Sequence, residues 1–172
     1  MLNNGIVADA KIEPFLKIKL VTIGKTVEKY LQKGVDIYCD RLGHYIPFEM
    51  VELPDLKQTA SLSEEQIKTK EGEMILRSVR PSDHLVLLDE RGKMFSSKDW
   101  ARDLEQKSVR MGKDVVFVIG GPYGFSSQVY ERADEKISLS PMTFSHQMVR
   151  LIFLEQLYRS CTIIKGEPYH HE

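Results

Sequence analysis

The chain has 172 residues, 42% of them hydrophobic and 28% charged, which gives room for one well-buried α/β domain and falls outside disordered, fibrous and membrane compositions. A net charge of −1 and a pI near 6.5 exclude the basic field that drives unaided binding to nucleic acid phosphates, though not an enzyme whose RNA is presented by a large folded particle. No apolar run approaches the roughly 18 residues of a bilayer span, and the first 16 residues lack the basic start and apolar centre of a secretory signal.

The first regular element is a strand from about Lys17 through Ile18, Leu20, Val21 and Ile23 to Gly24. Residues 1–16 read as an N-terminal extension of unknown role, and 17–172 as a single domain. Apolar residues at 27, 31, 35, 38 and 42 predict an amphipathic helix from Thr26 to Leu42, with Gly43 as its stop. Phe48–Leu53 reads as a strand, and Ser61 or Ser63 caps a helix that ends before Pro81. The run Leu85-Val86-Leu87-Leu88 is continuously apolar, as in a parallel strand covered on both faces. Glu90 to Lys93 reads as a turn, leading to a helix that starts at Ser96-Ser97 and ends before Gly112. A buried strand follows at Val115–Ile119, then a short helix near Ser126 to Ala133, and a fifth strand at about Lys136 to Leu139. The last helix, about Ser145 to Ser160, is apolar on nearly every side and must be buried on most faces. A domain this small has little interior to cover it, so a homodimer interface is expected to use part of it. Strands alternating with helices predict a parallel-rich α/β sheet flanked by helices.

Cys39 and Cys161 lie far apart and in no metal-ligand spacing, so no metal site is expected. Both read as small buried side chains in a reducing, cytosolic compartment. His44 and His84 read as structural histidines.

Three loops carry candidate chemistry. Gly120-Gly121-Pro122-Tyr123-Gly124 follows a buried strand, where open α/β sheets bind ligands, yet it matches neither dinucleotide nor phosphate-loop patterns. As a bare glycine-rich turn it reads equally well as a tight connection. The hydroxyl-rich run Ser138 to His146 either offers free backbone groups to a polar ligand or simply approaches a helix cap. Tyr169, His170 and His171 gather an aromatic ring and two imidazoles that could stack a base and move a proton, or form an inert tail.

Leu87-Leu88-Asp89-Glu90, Val118 to Gly124, Leu139 to His146, Met148-Val149-Arg150, Glu155 to Arg159 and Pro168-Tyr169-His170, in that order and with short spacers, closely resemble the RlmH family. These are SPOUT-superfamily enzymes that methylate N3 of a pseudouridine in the 23S ribosomal RNA of the large subunit. The likeness runs from Lys17 to the end. It implies a SPOUT-type trefoil knot, a rare exception to ordinary chain topology. It also implies S-adenosylmethionine as methyl donor, held by Leu88, Gly120 and the backbone of Leu139, Ser140, Pro141, Met142, Thr143 and Phe144. The implied enzyme is a homodimer whose sites draw on both subunits. Its substrate is the assembled ribosome, which agrees with the near-neutral charge, and neither membrane nor DNA is an expected partner.

Methyl transfer from a sulfonium is an in-line displacement, so placing the base nitrogen is the main task. His170 is the first candidate to receive the N3 proton, Tyr169 to stack on the base, and Arg150 and Arg159 to contact phosphate or developing negative charge. Arg159 can instead pair with Glu155 at i,i+4 spacing. Where the family commonly has Arg or Lys after Tyr-His, this chain has His171, so a phosphate contact there would weaken as pH rises through the imidazole range. Three other readings stand beside this one. A knotted methyltransferase acting on transfer RNA is disfavoured by the lack of an added RNA-binding domain. A non-catalytic ribosome-associated module is disfavoured by the intact Gly120 loop and 139–144 run. A hydrolase using Ser145 with His170 or His171 lacks any nucleophile elbow.

Overall fold

The computed structural model describes residues 16–170, so the N-terminal extension apart from Leu16, and His171, lie outside the described residues. The chain runs β1 (Ile18–Ile23), α1 (Lys29–Gly43), β2 (Phe48–Leu53), a 3₁₀ turn (Thr59–Ser61), α2 (Glu64–Arg77), β3 (His84–Met94), α3 (Ser97–Arg110), β4 (Val115–Ile119), α4 (Ser127–Arg132), β5 (Glu135–Ser138) and α5 (Met148–Ile164). The strands form one sheet in the order β2-β1-β4-β3-β5, every neighbouring pair parallel.

Helices cover both faces. On one face Ile18, Leu20, Phe117 and Ile119 pack with Val35, Trp100, Leu104, Phe153 and Leu157 from α1, α3 and α5. On the other, Val21, Ile23, Leu85, Leu87, Val116 and Val118 meet Ile75 and Val129 from α2 and α4. This two-sided burial is why β4 and the start of β3 are continuously apolar. Phe153, Leu154 and Leu157 are 0% exposed, and each such side chain contributes roughly 1.5–3 kcal/mol by leaving water. The expected covering of the apolar α5 is thus met largely from within the chain, by α1 and α3. Serines start three helices: Ser63 with a full capping box to Gln66, Ser96 accepting from the Asp99 N–H, and Ser126 from that of Val129.

The structure departs from the sequence expectations at three places. Helix α1 begins at Lys29 rather than Thr26 and includes Gly43, with His44 as its C-cap, because one helical glycine costs only about 1 kcal/mol. Helix α5 begins at Met148, whose N–H bonds to Ser145 Oγ at 3.0 Å, and continues to Ile164. The segment Glu90–Lys93 does not reverse the chain; β3 continues through it to Met94. Ile137 of β5 is partnered by both Leu88 and Lys93, so the intervening residues bulge out of register. A Cβ on Gly92 would sit 2.5 Å from the Ile137 carbonyl carbon, so this glycine answers a close approach of two backbones.

Candidate active site

At the C-terminal ends of β3 and β4, and around the segment following β5, a cleft of about 680 Å³ opens. Leu88, half-buried at the register shift of β3, and Gly120, directly after β4, form its floor. Leu139, Ser140, Met142, Thr143 and Phe144 line it from the segment after β5, while Pro141 lies exposed in the same segment. The cofactor candidates are therefore drawn together from residues up to 56 apart in sequence, 88 to 144.

Local bonds shape this segment. Ser138 Oγ donates to the Ser140 carbonyl at 2.8 Å, the Met142 N–H to Ser140 Oγ at 3.0 Å, and Thr143 Oγ1 to Glu90 Oε2 at 2.9 Å. The last bond ties the segment to the bulge of β3, and Met142 is left 75% exposed at the rim. Opposite it, the Gly124 N–H closes on the Gly121 carbonyl at 3.1 Å, turning Tyr123 outward. A Cβ on Gly121 would run into the carboxylate of Glu71 on α2. Glu71 is buried, its Oε2 has no hydrogen-bond partner, and burial, with Asp55 nearby, raises its pKa.

Charge on the cleft wall is mostly acidic on the β3 side. Asp89 accepts from the Tyr130 hydroxyl, and burial together with that bond pushes Tyr130 up to about 12. Glu90 and Arg91 follow on the bulge, and Lys68 reaches in from α2. His146 lines the cleft beside the 139–144 segment, a half-buried imidazole whose pKa is lowered by burial and by Arg150, against an opposing pull from Asp55.

The C-terminal candidates form a separate group. Glu155 Oε1 accepts from Arg159 Nη2 at 2.5 Å, from Arg159 Nε at 3.1 Å and from the Tyr169 hydroxyl at 3.1 Å. Tyr169 also meets Tyr38 of α1, hydroxyl to hydroxyl at 3.3 Å, and stacks edgewise on Tyr158 with centroids 4.8 Å apart. The Arg159 guanidinium lies 4.8 Å over the Tyr169 ring, and its Nη1 is 3.3 Å from His170 Nδ1. Burial, then the bonds to Tyr38 and Glu155, hold the Tyr169 phenol well above its ordinary range, so it stays neutral. Val149 at the cleft and Arg159 are ten residue steps apart on α5, about 15 Å along the helix axis, and none of this group lines the cleft of its own chain.

Arg150 stands apart from both. It is 1% exposed, and its donors go to the carbonyls of His146 (3.1 Å), Gly24 (3.0 Å) and Ile23 (2.6 Å), to Thr26 Oγ1 (3.1 Å) and to Glu52 Oε1 (3.4 Å). The expectation that Arg150 meets phosphate is corrected by this geometry: the guanidinium is spent inside the protein, binding the end of β1 to the start of α5. Sequence reasoning passed over His146, whose signal was its place at the end of the hydroxyl-rich run, and Glu71, a helical carboxylate with no local mark of burial.

The fold and cleft define a class. The family described as Predicted SPOUT methyltransferase matches residues 16–170, and the chain belongs to that family of methyltransferases. Among curated relatives, a protein of Christiangramia forsetii is 60% identical over 156 residues, covering 91% of this chain and 99% of its own length. One of Parabacteroides distasonis is 57% identical over 157 residues, covering 91% of this chain and all of its own. Both carry the name Ribosomal RNA large subunit methyltransferase H. A probable methyltransferase of Bordetella pertussis shares the fold, with a TM-score of 0.54 at 12% identity over 86% of this chain and 95% of its own.

Proposed function

We propose that this chain transfers a methyl group from S-adenosylmethionine to N3 of a pseudouridine in 23S ribosomal RNA, acting in the cytoplasm on the assembled ribosome. The observation that carries the reading is one cleft, framed by Leu88, Gly120 and the 139–144 segment, in a chain nearly 60% identical over its folded length to proteins named for ribosomal RNA methylation.

The residues present fit the methyl donor. A cleft of about 680 Å³ suits a nucleoside-sized ligand, and backbone at 120–121 and 139–144 offers edges to an adenine. Asp89 and Glu90 suit a ligand carrying a sulfonium and an ammonium. When bound, that ligand supplies an electrophilic methyl carbon. The protein's own work is to orient the base against it and to dispose of one proton, which is positioning above all.

The second element of the proposal is a homodimer. Val27, Tyr30 and Ile37 are exposed on and just before α1, which packs against α5, where Leu151, Ile152 and Tyr158 are half-buried. Pairing of this apolar strip with a second copy would carry Tyr169, His170 and Arg159 of one subunit toward the cleft of the other. There Tyr169 stacks on the splayed base and Arg159 faces RNA. The third element is the knot: the double pairing of Ile137 supports threading of the chain past the 89–92 bulge. No helix of the described residues is long and apolar enough to cross a membrane.

Incubating the protein with methyl-labelled S-adenosylmethionine and, in parallel, ribosomes lacking the modification, free ribosomal RNA and bulk transfer RNA tests the reading. Label on ribosomes alone is expected; label on transfer RNA, or on nothing, overturns it.

A further inference from the structure

The proton on N3 needs an acceptor, and the described residues offer two imidazoles for it. His170 is poorly placed: within its own chain its Nδ1 faces a guanidinium nitrogen of Arg159 at 3.3 Å. Arginine can only donate, so Nδ1 accepts there and the neutral ring carries its hydrogen on Nε2, which leaves no free lone pair. His146 differs in each respect. Its ring lines the cleft, next to the segment that frames the cofactor candidates, and makes no hydrogen bond with any described residue. Its backbone is fixed, because Arg150 Nε donates to its carbonyl while the same guanidinium grips the Ile23 and Gly24 carbonyls.

We propose that His146 is the catalytic base of the reaction, taking the N3 proton of the target nucleotide inside the cleft. This rests on the methyltransferase reading above. The N3–H bond breaks and its proton passes to a free ring nitrogen of His146. The electron pair left on N3 forms the bond to the methyl carbon, and the carbon–sulfur bond of the sulfonium donor breaks with its pair going to sulfur. The imidazolium then returns the proton to solvent. Arg150 is a positioning residue in this scheme, acting through the His146 backbone.

The surroundings keep the ring in its accepting form. Arg150 on α5 and Asp55, after β2, act on the ring in opposite directions, the cation lowering its pKa and the anion raising it. Lys68 of α2 and Asp89, Glu90 and Arg91 of β3 stand around the cleft, with Glu71 of α2 beneath Gly121. Burial is the largest influence on the ring and favours the neutral form.

The test joins a binding, a spectroscopic and a kinetic readout on the full chain. Nuclear magnetic resonance titration of the His146 ring is expected to give a pKa below the ordinary 6.5, and turnover on ribosomes should rise with pH through that same value. His146→Gln is expected to lower kcat at neutral pH by about 100-fold. Its affinity for S-adenosylmethionine and its KM for ribosomes should stay within about twofold of wild type, since the ring acts on the proton and not on binding. Its rate should recover in alkaline buffer, where N3 loses its proton unaided. His170→Gln should keep the acid limb of the profile. Unchanged kcat in His146→Gln, a loss of cofactor affinity that matches the loss of rate, or an acid limb that disappears only in His170→Gln would each overturn the assignment. A wild-type protein that methylates nothing would overturn the functional reading and this inference with it.

Discussion

Arg150 Nη2 donates to the carbonyl oxygen of Ile23 at 2.6 Å, joining residues 127 apart at the point where the first strand ends and the last helix begins. The guanidinium is 1% exposed and paired with Glu52, so removing it leaves three carbonyls and a carboxylate facing an empty space. Breaking such a buried arrangement costs about 3–5 kcal/mol. Arg150→Met is expected to lower the melting temperature by roughly 10 °C, given about 2–4 °C per kcal/mol for a domain of this size. Thermal melts followed by circular dichroism check this, and a fall of only a degree or two would mean the network contributes little.

Gly92 and Gly43 make a paired test of backbone approach. At Gly92 a new Cβ meets the Ile137 backbone at 2.5 Å, and backbone cannot move aside as a flexible side chain can. Gly92→Ala is expected to cost about 3 kcal/mol or to abolish soluble expression. At Gly43, in the last turn of α1, a Cβ meets nothing within 4 Å, and Gly43→Ala should stabilise by about 0.5–1 kcal/mol. Urea denaturation of the two variants would separate them, and equal midpoints would contradict the close backbone approach at Gly92.

Glu135 predicts a stretch of acid sensitivity. The hydrogen bond from His84 at 2.8 Å, helped by Lys107 at 2.9 Å, outweighs burial and holds the carboxyl down at about 2, below its ordinary 4.5. A depressed carboxylate stabilises fully above the unfolded value and loses that contribution as pH falls through the folded one, so the window runs from about 4.5 down to about 2. Glu135→Gln should cost about 1–2 kcal/mol at neutral pH, discounted because a third of the side chain stays solvated. The gap to wild type should close across that window. A gap that is constant with pH would assign the loss to packing instead.

Glu155 is the anchor of the C-terminal group, bonding both Arg159 and Tyr169. Glu155→Gln keeps the shape and removes the charge, which should loosen Tyr169 and His170 together. Turnover on ribosomes is expected to fall about tenfold in kcat/KM, with cofactor affinity unchanged, because Glu155 lies about 9 Å along α5 from Val149 at the cleft and does not line it. Calorimetry with S-adenosylmethionine beside the methylation assay separates the two effects. A parallel loss of cofactor binding would mean the group communicates with the cleft of its own chain.

Most of the layering could be read from residue patterns. The apolar runs at Leu85 and Val115 marked buried parallel strands, and Ser63, Ser96 and Ser126 marked helix starts, because these signals are local. The turn at Glu90–Lys93 was misread because a glycine needed for close backbone approach looks the same, in sequence, as a glycine needed for a reversal. The 139–144 segment was singled out by family likeness as a candidate for holding the methyl donor, and all of it except Pro141 lines the cleft. The fate of Arg150 was not legible, since its partners at Ile23, Gly24 and Glu52 are backbone and side-chain oxygens about 100 residues or more away. His146 was hidden for a similar reason: its role depends on which loops meet above the sheet.

The most direct measurement digests ribosomal RNA after reaction on ribosomes that carry the pseudouridine but lack its methyl group, and identifies the labelled nucleoside by mass spectrometry. The expected product is pseudouridine methylated at N3, formed on ribosomes and not on the same RNA stripped of protein. Label on another base, on ribose, or equally on naked RNA would contradict the account.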